Sequence, residues 1–493
     1  MTVPTDAKEG ALITMMSNGP EVKVLFGKRL TPEDRPPQCS NKKDIMLSFI
    51  SDNEDIMDVT ESQLSKHTLL IGGIGSGKTN CFNFIVSGLN CMMTSKDVML
   101  IFDTKGDFYG KFFDKRSDCV IGNSWNFLPE TSYWNIFREI EFGGRLRSEK
   151  ELMAKEIAKA LFEDRKNESQ PFFSNAACDI FGKTLLHIMR GFWNQPEYKR
   201  LEAEMEANQR DPYRMEEILR RQHALFEQNA DHLNNRYLVR EVLQKWTAQQ
   251  YVKMLHAHRD FESSVSYIGE GTSNQALGVF GEMNSMINDY FIGVFADYAP
   301  GRDISMRELI HQKGGRKIFI EYDLSVGSVL CCIYRLLVDL SLKEALGRDH
   351  SEGNVFLIID EFKLLPKLTH LDDALNFGRS LGIKAFVGIQ NIGQLEDIYG
   401  EAAGKVIAAG FSNIFAFRMT DEASRTYVSE LFGANYTSVE FWNSRGDKDQ
   451  TQREGHCVEG WQLMDLRIGE AVIGLIGCDP FYFRFLDYDK YGG

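Results

Sequence analysis

From His67 onward the chain carries short, uninterrupted apolar runs rich in β-branched and bulky residues: HTLLI, DVMLIFD, KIFIEYD at 317 to 323, VFLIID at 355 to 360, IKAFVGIQ at 383 to 390 and NIFAFR at 413 to 418. Each is followed by sequence of helical period. Runs with no polar alternation predict strands buried on both faces, as in a parallel sheet whose crossovers are helices. The predicted class is therefore α/β. Between Ser148 and Asp260 the strand runs stop, and Met153, Ile157 and Leu161 recur at helical spacing. A Ser148–Glu151 capping box is expected to open that stretch. The pattern predicts a nucleotide-binding unit over 67–145 and 266–432, interrupted by an all-α inserted domain over 146–265. Residues 1–66, with EVKVLFG and DIMLSFI separated by RLTPEDRPPQCSNKK, predict a small β-rich lead-in. Residues 433–493, with EAVIGLIG and FYFRF, predict a β-containing segment packed on the nucleotide-binding unit.

Composition changes this picture little. A chain of 493 residues with 43% hydrophobic content is long enough for several domains. No apolar run reaches the roughly 18 residues that span a bilayer; VGSVLCCIYRLLVDLSL is broken by Arg335 and Asp339, and no charged-then-apolar leader opens the chain. Direct membrane insertion is not expected. The nine cysteines contain no C-x-x-C pair and only one adjacent pair, Cys331–Cys332, while His456 and Cys457 have poor metal-ligand spacing. Neither a zinc site nor a disulfide framework is expected, which fits a reducing cytosol. A net charge of −14 argues against an outer surface that coats nucleic acid, though a local basic channel would be hidden in that total.

The first candidate chemistry is LLIGGIGSGKTN, Leu69 to Asn80. Gly72 and Gly77 stand five apart and lead into Lys78 and Thr79, the G-x-x-x-x-G-K-T spacing of a phosphate-binding loop between a strand and a helix. Glycines let successive backbone N–H groups face phosphate oxygens, so Gly72, Gly73, Gly75, Ser76, Gly77, Lys78, Thr79 and Asn80 are the expected nucleotide contacts. Lys78 is expected on the β and γ oxygens and Thr79 at the Mg²⁺ position; ATP and Mg²⁺ are the implied cofactors. The similar FGKT at Phe181 to Thr184 lacks the earlier glycine and a preceding strand, and reads as helix.

A second half-site comes later in the chain, in VFLIIDEF. Asp360 is expected to hold Mg²⁺ through water, and Glu361 to orient and deprotonate the attacking water, a function that a kinase would not need. Asp103, Asp323 and Gln390 also close apolar runs, at the carboxyl edge where ligands of open α/β sheets gather. Gln390 is either a water-orienting residue beside the γ-phosphate or a plain strand-end hydrogen-bonder. Arg379, in GRSLGI, is either a surface ion-pair residue or a finger that stabilises transition-state charge.

DTKGDF at 103 to 108, DEFKLLPKLTHLDDALNFGRSLGIKAFVGIQNIGQLEDIYG at 360 to 400 and the phosphate loop together resemble the coupling-protein ATPases of type IV secretion and conjugation, within the FtsK–HerA superfamily of hexameric DNA translocases. The resemblance covers about 67–142 and 270–432 and includes the position of the all-α insertion. It implies a RecA-like P-loop NTPase with a mainly parallel central sheet, and a homo-oligomeric ring of six that hydrolyses ATP between subunits and moves DNA. It implies as partners a relaxase and secretion-channel proteins, and it sets Arg379 at the trans-acting arginine position. Family members usually begin with a pair of transmembrane helices, and this chain has no such run. A cytoplasmic protein, held peripherally at the inner face of the membrane by a partner, is expected, or a soluble DNA-processing or defence ATPase.

The residues themselves speak weakly for nucleic acid. From Glu197 to Asp260 eleven basic residues face eleven acidic ones, the balance of a solvated helical surface. Trp193, Tyr198, Tyr213 and Trp246 could stack on bases or fill helical cores. An ATP-dependent recruiter that captures a relaxase or effector remains the second reading. A small-molecule kinase is disfavoured by Glu361 and by the lack of a lid-like basic segment.

Overall fold

The computed structural model describes residues 21–31, 36, 41–122, 128–165, 171–325, 327–347, 352–365, 367–442 and 448–491. Nine strands form the central sheet: β1 (Thr68–Ile71), β2 (Val98–Asp103), β3 (Cys119–Ile121), β4 (Arg316–Glu321), β5 (Val355–Ile359), β6 (Ile383–Ile389), β7 (Asn413–Phe417), β8 (Glu470–Gly474) and β9 (Phe481–Arg484). Their order is β9-β8-β7-β1-β6-β5-β2-β4-β3. From β7 to β3 every pairing is parallel, and β8 and β9 extend the sheet antiparallel.

Among the helices that cover the sheet or build the layer beside it are α1 (Lys78–Met92), α2 (Arg147–Phe162), α3 (Pro171–Trp193), α4 (Asn274–Tyr290) and α5 (Gly327–Ala345). They show why the strand runs are apolar at every position. Leu69, Ile71, Leu100, Phe102, Leu357 and Ile359 join the hydrophobic cluster that includes α5 and the inserted helices. Leu70, Met99, Ile101, Phe356 and Ile358 point the other way, into a cluster with α1 and the Ile45–Ile50/Ile56–Thr60 hairpin. Successive strand residues face opposite sides, so a sheet covered on both needs both sets apolar.

The helices between β3 and β4 continue through α4, past residue 265, and α4 packs on α3. Ion pairs Arg335–Asp164 and Lys343–Glu156 lay the α2 segment along α5, so the helical layer shares its core with one face of the sheet. The entry to α2 corrects the expected Ser148–Glu151 box: Glu149 Oε2 accepts from the backbone N–H of Arg145 and Leu146, at 2.8 and 3.0 Å. Ser148 already lies within the helix. FGKT lies within α3, where the Thr184 hydroxyl donates to Ile180 O.

The lead-in and the C-terminal part are joined. Strand Glu21–Gly27 pairs antiparallel with Ala434–Trp442, which pairs with Lys448–His456 in a separate three-stranded sheet. Among the described residues no helix is long and apolar enough to cross a membrane.

Candidate functional site

β6 lies between β1 and β5. That order brings the residues just beyond these three strands to one edge: the loop 72–77, Gln390, and the pair Asp360–Glu361. The loop runs directly from β1 into α1. Gly77 has φ +111°, which L side chains rarely adopt, and a Cβ there would sit 2.8 Å from Gly469 Cα. A Cβ on Gly72 would lie 2.6 Å from Phe417 Cβ. These two glycines are required by the turn and by the close approach of β7 and the turn before β8. Two backbone bonds hold the loop against them: Gly73 N–H to Arg418 O at 2.8 Å, and Gly469 N–H to Ser76 O at 2.9 Å.

Lys78 Nζ donates to Gly72 O at 2.6 Å and Gly73 O at 3.2 Å. Burial lowers its pKa, against the pull of Asp360 and Glu361. The Thr79 hydroxyl donates to Asp360 Oδ2 at 2.7 Å. Burial pushes the Asp360 carboxyl up to about 6, although the Thr79 bond and the Lys78 charge work the other way. Gln390 Nε2 bridges both oxygens of Glu361, at 3.0 and 3.1 Å. Ser76 Oγ is buried with no hydrogen-bond partner among the described residues. An ammonium held by loop carbonyls, an orphaned hydroxyl and a Thr–Asp oxygen pair fit a nucleotide phosphate and a hard cation.

Other expected residues are placed differently. The Asn80 side chain faces the C-terminal segment: its amide N–H donates to Leu486 O at 2.9 Å and its Oδ1 accepts from Tyr488 N–H at 2.8 Å. Both ends of the side chain are taken there, so it tethers that segment. Asp323 is not the strand end; β4 closes at Glu321, and Asp323 accepts from Ser325 beyond it. Arg379 is exposed, on the turn Gly378–Leu381 that precedes β6, and makes no ion pair among the described residues. The seven residues of β6 separate it from its own carboxyl edge by roughly 20 Å at the usual strand rise.

The residue that sequence reasoning missed is Glu321. In register it stands opposite Asp103. Burial, with the Asp103 charge beside it, pushes its carboxyl up to about 8, and Oε1 has no partner among the described residues. Asp103 itself accepts from Tyr109 N–H at 2.8 Å and Lys105 N–H at 3.3 Å. The only signal available was an acid inside an apolar run. Of the aromatics, Trp193 and Tyr198 are buried in the helical core, while Tyr213 is 86% exposed. Of the eleven basic residues of that region, Arg214, Arg220, Arg221, Arg236 and Lys245 form ion pairs among the described residues, as in Arg214 with Glu204 and Glu217.

Residues 35–456 match the protein family described as Type IV secretory system Conjugative DNA transfer. The chain is 25% identical over 197 residues to the conjugal transfer protein TraG of Agrobacterium fabrum (strain C58), a match that covers 38% of this chain and 29% of that relative. In fold it is similar to the unbound bacterial conjugative coupling protein TrwBdeltaN70, with a TM-score of 0.64 and 17% identity over 94% of each chain. The same plasmid coupling protein TrwB matches with a TM-score of 0.63 and 17% identity in complex with the ATP analogue ADPNP, and 0.61 and 18% with ADP and Mg²⁺, over 94% of each chain in both cases.

Proposed function

The chain belongs to the type IV secretory system conjugative DNA-transfer family, and from that premise we propose that it is a Mg²⁺-dependent ATPase that drives DNA through a ring of its own copies. The observation that carries the reading is the Gln390–Glu361 contact beside the Thr79–Asp360 pair. A general base needs a fixed orientation. Gln390 supplies it, and Gln390 comes directly after the strand next to the phosphate loop, where a change at the γ-phosphoryl group would be felt first.

In this reading the loop N–H groups bind the α- and β-phosphate oxygens. Lys78 leaves the carbonyls of Gly72 and Gly73 for the β- and γ-oxygens. Thr79 and Asp360 would hold Mg²⁺, which when bound neutralises charge on the β- and γ-phosphates. Glu361 takes the proton of the attacking water. Lys78 and Mg²⁺ neutralise part of the charge on the γ-phosphoryl oxygens, and the distance of Arg379 from its own loop suits a further contribution to the next subunit's site. The partners we propose are DNA, five further copies of the chain, a relaxase and secretion-channel proteins, with any attachment to the membrane made through one of them.

The test is the ATPase rate of the full chain with and without single- and double-stranded DNA, at stated salt because phosphate contacts make such binding salt-dependent. Stimulation of several-fold, abolished in Lys78→Ala, is expected. ATP turnover that ignores DNA, together with nucleotide-dependent capture of a relaxase, would instead favour an ATP-dependent recruiter.

A further inference from the structure

Cys331 and Cys332 sit side by side in α5. Adjacent helix positions point about 100° apart and ordinarily do not share a contact. Here both sulfurs turn to one place: with a carboxylate oxygen of Asp164 they form a triangle whose corners all lie within 4.8 Å. Cys332 Sγ is 2.7 Å from Asp164 Oδ2 and 3.2 Å from the Tyr290 hydroxyl. Arg335 Nη1 donates to the other Asp164 oxygen at 2.8 Å. Asp164 lies just past α2, Tyr290 ends α4 and the cysteines belong to α5, so three helices meet at the cluster.

Two chemistries use paired thiols. The first, an intramolecular disulfide, is opposed by geometry: neighbouring Cα atoms are about 3.8 Å apart across a trans peptide, whereas disulfides want roughly 4.4 Å or more. The second is metal ligation. A zinc ion with bonds of about 2.3 Å to sulfur and about 2.0–2.2 Å to oxygen sets its tetrahedral ligand atoms roughly 3.5–3.8 Å apart. The three atoms are already gathered within 4.8 Å, with Cys332 Sγ and Asp164 Oδ2 at hydrogen-bond distance; that pair opens by about 1 Å to the zinc spacing when the thiol proton leaves. The charge also closes, because two thiolates and one carboxylate balance a divalent cation and the Arg335 guanidinium. Arg335 then orients the carboxylate ligand from behind, the usual arrangement outside a metal's first ring of ligands. Cys331 is only half-buried, which provides a way in.

We propose that Cys331, Cys332 and Asp164 bind a thiophilic divalent cation of the zinc class, with the Tyr290 hydroxyl beside the fourth position. Loading releases both thiol protons and ties the α2 end of the helical layer to α5, the crossover helix of the sheet. The proposal is independent of the nucleotide reading, since the phosphate loop supplies only oxygen ligands.

The test uses the full chain, stripped with a chelator, kept reduced with a phosphine and titrated with Co²⁺. Thiolate-to-cobalt absorption should saturate at a single equivalent and be displaced by Zn²⁺. Cys331→Ser should abolish it while leaving nucleotide binding and circular dichroism unchanged, and Asp164→Asn should weaken the affinity about tenfold or more. Zn²⁺ should raise the Tm of the unaltered chain and not that of Cys331→Ser. Absence of thiolate absorption at stoichiometric Co²⁺, or absorption that persists in Cys331→Ser, would overturn the assignment and leave a hydrogen-bonded thiol cluster.

Discussion

Glu321 is a carboxyl group that folding keeps protonated. Its pKa rises from the ordinary 4.5 to about 8, through burial first and the Asp103 charge second. Between these values the folded chain holds a proton that the unfolded chain releases, so stability falls as pH rises. The contribution is fully present below about 4.5 and is lost as pH passes 8. Glu321→Gln keeps the shape of the neutral acid and removes the titration; the variant should match the parent near pH 5 and melt higher than it near pH 8. Equal Tm differences at both pH values would show that Glu321 is charged in the fold. That Lys78, Thr79, Asp360 and Glu361 would gather at one strand edge was legible in the sequence, because the loop and the acid pair each follow directly on an apolar strand run. Glu321 and the side-chain partners of Asn80 were not, because Asp103 comes beside the first only when β2 pairs with β4, and Leu486 reaches the second only when the C-terminal segment docks on α1.

At the scale of elements, the phosphate loop is a part of the sheet's rim. Gly75 and Gly77 separate the two demands on such a loop. Both have positive φ, +69° and +111°, but a Cβ on Gly75 meets nothing within 4 Å while one on Gly77 meets the Gly469 backbone. A non-glycine residue in the left-handed region costs about 1–2 kcal/mol, so Gly75→Ala should lose about that much stability in chemical denaturation. Gly77→Ala should lose more and bind nucleotide poorly, because loop and Gly469 must move apart. Equal losses would mean that the contact with Gly469 is not part of the native loop. Strands were legible from their apolar runs, since burial on both faces leaves no polar alternation. Their order was not, and neither was the entry to α2, where Glu149 is used in place of Ser148 with Glu151. Several hydrogen-bonding side chains within a few residues all offer caps, and tertiary packing selects one.

For the whole molecule, Arg379 and the phosphate loop lie at opposite ends of β6, the placement that the proposed shared site requires. Arg379→Ala should leave ATP binding nearly intact and lower turnover by about 10³–10⁵, the range for an arginine finger. Glu361→Gln should bind and not hydrolyse. Mixing these two inactive proteins should restore part of the activity, because some interfaces then pair an intact Glu361 with an intact Arg379. No recovery in rings shown to contain both would remove the support for a shared site. The same sheet order has a consequence during synthesis. Leu69 of β1 pairs with Val387 of β6 and Ile414 of β7, and β1 has no other neighbours in the sheet. At about 5–20 residues per second on the ribosome, the strand that carries the phosphate loop waits roughly 20–60 s for a partner, with unpaired backbone N–H and C=O groups along both edges. The nucleotide site is thus among the last parts of the growing chain to form, and the nascent protein, more than the finished one, is where a chaperone would be needed.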